Sequence, residues 1–240
     1  MPDELGLMAM NMRATAMRPL LGLTVLVVED SRFASEAVRL LCIRSGARIR
    51  RADSLSAAHR HLKVYRPAVV VVDMGLPDGS GIELIEKFVQ EDASARPVIL
   101  ACSGADDETL IEKALAAGAD EFLVKPIASV ASFQQIVLKH LPPEIRPSGP
   151  RLLSDEPIEL DVLALNEDLS HLDSLLENGD ETLPYVAPFL QGLARLSGDD
   201  ALRAASDALS RAIKLGSGTQ GAISHVREVI AQRRNDKVLV

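Results

Sequence analysis

Apolar runs, and the polar residues that end them, organise the first 141 positions of the chain. Val69, Val70, Val71 and Val72 lead directly into Asp73 and then into a loop holding Gly75, Gly79 and Gly81. A short β-branched run bounded by turn formers is what a strand buried on both faces of a parallel sheet requires. Residues 23–28 form a second such run, ending at Glu29 and Asp30. Residues 97–102 form a third, ending at Ser103, and residues 121–124 a fourth, ending at Lys125 and Pro126; a shorter strand is expected around 47–50. Between these runs the apolar period changes to three or four. Helices are predicted over 33–42, 54–64, 82–89, 107–116 (with Gly118 as its stop) and 129–141. Strands alternating with helices predict an α/β domain: a doubly wound parallel sheet covered by helices on both faces.

Beyond residue 141 the strand pattern disappears. Residues 142–157 are rich in proline and read as a semi-rigid linker. From 158 to 235 four amphipathic stripes follow: Val162, Leu165, Leu169, Leu172 and Leu176; Val186, Phe189, Leu190, Leu193 and Leu196; Leu202, Ala205, Leu209 and Ile213; Ile223, Val226 and Ile230. Gly179 with Asp180, Gly198 with Asp199, and the segment 216–219 supply stops and caps between them. Four helices with short loops predict an all-α four-helix antiparallel bundle. Pro184 and Pro188 tell against a long regular helix at the second stripe, because Pro188 would cost the bond to the Pro184 carbonyl.

Composition narrows the function classes. The 240 residues carry a net charge of −8, which argues against a general affinity for nucleic acid or an anionic membrane, although a local basic patch could survive such an average. From residue 156 onward eight Lys and Arg face fourteen Asp and Glu, the opposite of what a DNA-reading helix needs. Cys42 and Cys102 lie in apolar segments and read as small core residues, so no disulfide framework and a cytoplasmic location are expected. No run reaches the roughly 18 apolar residues of a membrane span. The first 21 residues, with several methionines and no sustained apolar stretch, read as a flexible leader.

The strand ends carry the chemistry. Glu29, Asp30, Asp73, Ser103 and Lys125 gather along one edge of the predicted sheet, and in open α/β sheets that edge is where ligands bind. Three carboxylates this close repel one another unless a cation lies among them, and a hard, oxygen-rich set suits Mg²⁺. The lysine and the hydroxyl would meet the anionic oxygens of a phosphoryl group. Two plainer readings stand beside this one: Asp73 as a turn former, and Lys125 as a surface salt bridge.

At these residues the sequence resembles the bacterial response regulator receiver domain (CheY-like) over about residues 22–141. The shared set is an acidic pair after the first strand, Asp after the third, Ser or Thr after the fourth and Lys-Pro after the fifth. The resemblance implies a flavodoxin-like sheet of order 2-1-3-4-5. It implies that Asp73 accepts a phosphoryl group from a histidine kinase or phosphotransfer protein in a two-component system or phosphorelay. It also implies that Glu29, Asp30, Asp73 and the Gly75 carbonyl hold Mg²⁺, that Ser103 bonds the new phosphoryl oxygen, that Lys125 pairs with it, and that the Lys125–Pro126 bond is cis. Phe122 falls at the family's aromatic switch position, and the readout is expected on the face formed by the fourth helix, fifth strand and fifth helix. Glu29 in place of the commoner Asp, and Phe122 in place of Tyr, are mild departures.

Ala187, Pro188, Phe189, Leu190, Gln191 and Gly192, followed by Gly198 and Leu202, resemble the histidine-containing phosphotransfer (Hpt) domain, whose signature reads Ala-His-x-Leu-Lys-Gly. Pro188 stands where the phosphorylated histidine would be and Gln191 where the lysine would be. Proline has no ring nitrogen able to hold a phosphoryl group. His171 and His225 remain, without the local signature, and a generic helical bundle stays open as the other reading. The expected protein is therefore a phosphorylated response regulator, not an independent enzyme, whose output is protein–protein contact. Its bundle would dock a receiver, a kinase or a second copy, with no nucleic acid or membrane as partner. The alternative is a transcriptional regulator with an unrecognised DNA-binding domain.

Overall fold

A computed structural model of the chain describes residues 14–90, 96–104, 107–127, 129–147, 161–177 and 179–235. Its first half contains five parallel strands: β1 (Thr24–Val28), β2 (Arg48–Ala52), β3 (Val69–Asp73), β4 (Val98–Ser103) and β5 (Glu121–Val124), in the order β2-β1-β3-β4-β5. The helices between and after them are α1 (Arg32–Arg44), α2 (Leu55–Leu62), α3 (Gly81–Gln90), α4 (Glu108–Ala117) and α5 (Val130–His140). Burial follows the β-branched runs: all four valines of β3 are at most 1% exposed. Val69 and Val71 belong to the core layer under α1 and α5, and Val70 and Val72 to the layer under α2 and α3, as the period of two along a strand demands. Outermost β2 differs, with Arg48, Arg50 and Arg51 exposed.

Helix starts are set by side-chain caps. Ser31, Ser54, Asp107 and Ser129 each accept a backbone N–H from the first turn of α1, α2, α4 and α5. Asp78, from the loop after β3, adds two more bonds to α2, accepting from the amides of Leu55 (2.8 Å) and Ser56 (2.9 Å). That loop folds as a small hairpin pairing Gly75–Leu76 with Gly79–Ser80. At Gly81 a Cβ would lie 2.2 Å from the Asp73 carbonyl oxygen, so α3 can start directly against the end of β3 only because this residue is glycine.

The second half holds α6 (Val162–Glu177), α7 (Leu183–Ser197), α8 (Asp200–Leu215) and α9 (Thr219–Asn235). Each packs on the next in sequence and α9 closes on α6, around Leu169, Leu172, Leu176, Val186, Leu190, Leu193, Leu202, Leu209, Val226 and Ile230. No helix among the described residues is long and apolar enough to cross a membrane.

Four expectations change. The end of the leader is not loose: Leu20 is fully buried in the core beneath α1, and its N–H donates to the Ser45 carbonyl at 2.9 Å, because an apolar residue just before β1 fills the end of that layer. Residues 1–13 lie outside the described residues. The start of the linker is likewise folded back, since Arg146 donates from Nε to the Leu141 carbonyl (2.7 Å) and from Nη2 to the Lys139 carbonyl (3.1 Å), closing the end of α5. Residues 148–160, including Ile158 where the bundle was expected to begin, lie outside the described residues. The third change is at Pro188, which stands inside an unbroken α7. Pro184 sits in the first turn, so only one early carbonyl loses its partner, and the buried face of Val186, Ala187, Leu190, Leu193 and Ala194 holds the helix straight through. The fourth is at the start of α6. Val162 is exposed there, while Ala164 and Asp168 are buried, because that helix packs against α1 of the first domain.

Candidate functional site

Strand register delivers the acids and the lysine to one place. Asp73 ends β3 opposite Cys102, Ser103 ends β4 opposite Val124, and Lys125 follows, its N–H donating to the Ser103 carbonyl at 2.8 Å. Glu29 and Asp30 follow β1 on the other side of β3. The Lys125 ammonium reaches between two carboxylates, donating to Glu29 and, at 3.0 Å, to Asp73 Oδ1. Its side chain is 11% exposed, against 13% for Asp73 and 3% for Glu29. This is a buried charge set, not the surface salt bridge of the plainer reading. The Lys125–Pro126 peptide bond is cis.

Burial sets the electrostatics. It pushes the Glu29 carboxyl up to about 8; Lys125 opposes the shift, and the Asp73 and Asp30 charges add to it. Asp30 rises to about 6 for the same reason, against the pull of a hydroxyl hydrogen bond from Tyr185. Lys125 is raised well above its ordinary range: burial disfavours its charge, but Asp73 and Glu29 together outweigh that cost. The sequence reading took Cys102 for a core residue, and it is 2% exposed. Its Sγ nevertheless lies within 4.8 Å of ligand oxygens of Glu29 and Asp73. Burial raises the Cys102 thiol well above its normal value, so it stays neutral and adds no charge to the set.

The oxygen set fits a hard divalent cation. Besides the clustered Glu29 and Asp73, Asp30 Oδ1 is buried with no hydrogen-bond partner, an arrangement that a metal ion satisfies and an apolar neighbour does not. Gly75 stands next to Asp73, a Cβ at this position lying 3.9 Å from Asp73 Oδ2. Ser103, 8% exposed, lines the same cleft as Asp73 and Lys125. Phe122 is not in the cleft; it is partly buried against the layer that includes Leu110 and Ala114.

Two residues that the sequence reading passed over come from the bundle. Asp168 of α6 accepts hydrogen bonds at the start of α1 from the Ser31 hydroxyl (2.7 Å) and the amides of Arg32 (3.0 Å) and Phe33 (3.0 Å). The Tyr185 hydroxyl, in the first turn of α7, donates to Asp30. The only signal for Asp168 in the sequence was an acid next to Leu169 on an otherwise apolar stripe; Tyr185 gave none. Pro184, Tyr185, Pro188 and Phe189 form one wall of a cavity of about 450 Å³, and Asp73, Ser103 and Lys125 lie on the other. Pro188 is exposed at that wall, whereas His171 and His225 are exposed on α6 and α9 outside that cavity. The bundle therefore packs on the cleft and on α1.

Residues 25–137 match the family model of the response regulator receiver domain. Among curated proteins, the chain is 36% identical over 102 residues to the KDP operon transcriptional regulatory protein KdpE of Escherichia coli, covering 42% of this chain and 44% of that one. It is 29% identical over 168 residues to the virulence transcriptional regulatory protein PhoP of Salmonella typhi, covering 66% of this chain and 71% of that one. The match thus spans less than half the length of KdpE. Solved structures with similarity include the CheY-like receiver domain of a Methylobacillus flagellatus response regulator. It is 26% identical with a TM-score of 0.44, over 49% of this chain and 97% of that one. Another is the receiver domain of sensor histidine kinase PA1611 from Pseudomonas aeruginosa, described with magnesium coordinated in its active-site cleft. It is 22% identical with a TM-score of 0.45, over 49% of this chain and 95% of that one.

Proposed function

We propose, from the premise that residues 25–137 are a response regulator receiver domain, that this protein is a phosphorylated response regulator whose phosphoacceptor is Asp73. The observation that carries this reading is Lys125 Nζ lying between Glu29 and Asp73 at the carboxyl end of the sheet. A carboxylate oxygen of Asp73 attacks phosphorus, and the bond from phosphorus to the donor's histidine nitrogen, or to the acyl oxygen of a small donor, breaks. The Lys125 ammonium stays protonated and meets the negative charge on the transferred group; the Ser103 hydroxyl donates to one of its oxygens. Glu29, Asp30, Asp73 and the Gly75 carbonyl would hold Mg²⁺, which neutralises phosphoryl charge when bound. Ser103 and Phe122 then bias two packings of the domain.

The donor class is a histidine kinase or a phosphotransfer protein, the location is the cytoplasm, and the output is protein–protein contact by a degenerate Hpt-like bundle over 158–235. Exposure of Pro188 on the second of four helices, at the Hpt signature position, supports that last element. Incubation with labelled acetyl phosphate and Mg²⁺ should label the wild type and leave Asp73→Asn unlabelled. Label that survives in Asp73→Asn, or that ignores chelation of the metal, overturns the assignment.

A second reading, a transcriptional regulator, is favoured by the names of KdpE and PhoP and by the exposed arginines of β2. In a gel-shift series, binding to DNA that weakens steeply as salt rises, and that Arg48→Glu with Arg50→Glu abolishes, would select it.

A further inference from the structure

Toward the receiver cleft, the bundle presents a shaped and specific face. The Asp168 carboxylate is 4% exposed and satisfies one hydroxyl and two amides of α1. The Tyr185 hydroxyl bonds Asp30. Farther along the same sheet edge, past β3, the loop after β4 meets α7 backbone to backbone, and a Cβ at Gly104 would lie 2.5 Å from the Gly192 Cα. The ring of Phe33, from the receiver's α1, is 2% exposed inside the bundle's own apolar cluster.

We propose that the α6–α7 face is a receiver-binding surface, that this chain's own phosphoacceptor edge is its occupant, and that a protein phosphodonor must displace it to reach Asp73 whereas a small phosphodonor need not. This rests on Asp73 being the phosphoacceptor. A donor histidine borne on a helix brings a cylinder about 10 Å across. That cylinder does not fit in a cavity of about 450 Å³ already walled by Pro184, Tyr185, Pro188 and Phe189. A molecule the size of acetyl phosphate does. Pro188 stands at the wall with no ring nitrogen to carry a phosphoryl group, so α7 holds the place of a donor helix without taking part in transfer. The bundle and the donor compete for one edge, and a donor sees only the fraction of chains whose edge is uncovered.

The test uses the full chain as wild type, Gly192→Leu and Asp168→Ala. A Cβ at 192 would sit 3.9 Å from the Gly104 Cα, an ordinary contact, so it is the further carbons of a leucine there that wedge α7 away, and alanine at 168 removes the bonds to α1. Each chain is incubated with Mg²⁺ and either labelled acetyl phosphate or a purified sensor-kinase core phosphorylated on histidine. Acetyl phosphate should label all three at rates within about twofold, and the kinase should label the two variants about tenfold faster than wild type, as expected when the competent fraction rises. Amide exchange at Arg32 and Phe33, whose amides bond Asp168 and not residue 192, should quicken in Gly192→Leu because the face lifts as a unit. No labelling by acetyl phosphate in any chain overturns the phosphoacceptor reading itself. Labelling by acetyl phosphate with equal kinase rates in all three chains, fast or nil, overturns the competition and leaves the phosphoacceptor reading intact.

Discussion

The Ser31 hydroxyl donates to the Asp168 carboxylate at 2.7 Å, joining residues 137 positions apart. Ser31 also caps its own helix by accepting from the Ala34 amide at 3.0 Å. The first helix of the receiver therefore has its start completed by a residue of the bundle, in a buried place where a negative charge meets helix N–H groups. Asp168→Ala leaves the amides of Arg32 and Phe33 without that partner. The expected cost is about 2–3 kcal/mol of unfolding free energy, against about 1 kcal/mol for Ser31→Ala. Urea titration of the full chain measures both, and equal midpoints for wild type and Asp168→Ala would show that this bond holds nothing.

Both architectures were readable because periodicity reports burial directly: two for the valines of β3 and three to four for the leucines, isoleucines and valines of α6 to α9. The edge set Glu29, Asp30, Asp73, Ser103 and Lys125 was readable because strand ends in a parallel sheet must share an edge. Asp168 and Tyr185 were not. Their partners lie in another domain, and local pattern carries no information on how two separately patterned units meet. Cys102 is the core residue its strand predicted, and what the strand alone could not show is that the register with Asp73 places its sulfur among the acids. Pro188 told against a long regular helix because a propensity argument counts the lost bond and not the buried face that outweighs it.

Phe33 belongs to α1 by sequence and to the bundle by packing. Phe33→Ala should cost about 3–5 kcal/mol, the range for emptying a buried aromatic site. The loss should appear as earlier unfolding of α6 to α9, followed by exchange at Leu172 and Val186. Destabilisation confined to the receiver sheet would mean that the ring does not belong to the bundle core.

Acid should loosen the bundle through Asp199. This carboxylate caps α8 by accepting from the amides of Ala201 (2.9 Å) and Leu202 (3.1 Å), and it receives Arg233 Nη2 of α9 at 3.0 Å. Its pKa is lowered, first by the Arg233 hydrogen bond and despite partial burial. A depressed folded pKa means stability present above the unfolded value of about 3.9 and lost as pH falls through the folded one. Asp199→Ala should remove about 1 kcal/mol at pH 7 and flatten this acid limb. An acid limb of unchanged steepness in the variant would assign the pH dependence to other carboxylates.

Lys125 tests the electrostatics of the cleft independently of any phosphoryl donor. It is the cation bonded to the buried carboxylates Glu29 and Asp73, and removing one partner of such a set exposes the full cost of burying the remaining charges. Lys125→Met should lower stability in metal-free buffer by about 3 kcal/mol, the low end for breaking a buried ion pair. Glu29, already raised to about 8, should then take up a proton more readily still, because the positive charge that held its pKa down is gone. A divalent cation replaces what the lysine supplied. Adding Mg²⁺ should therefore raise the melting temperature of Lys125→Met by more than that of wild type, since binding to the folded state alone stabilises it by mass action. No increment in either protein would show that Glu29, Asp30 and Asp73 do not form a common cation site, and equal increments would show that the cation does not take over what the lysine supplied.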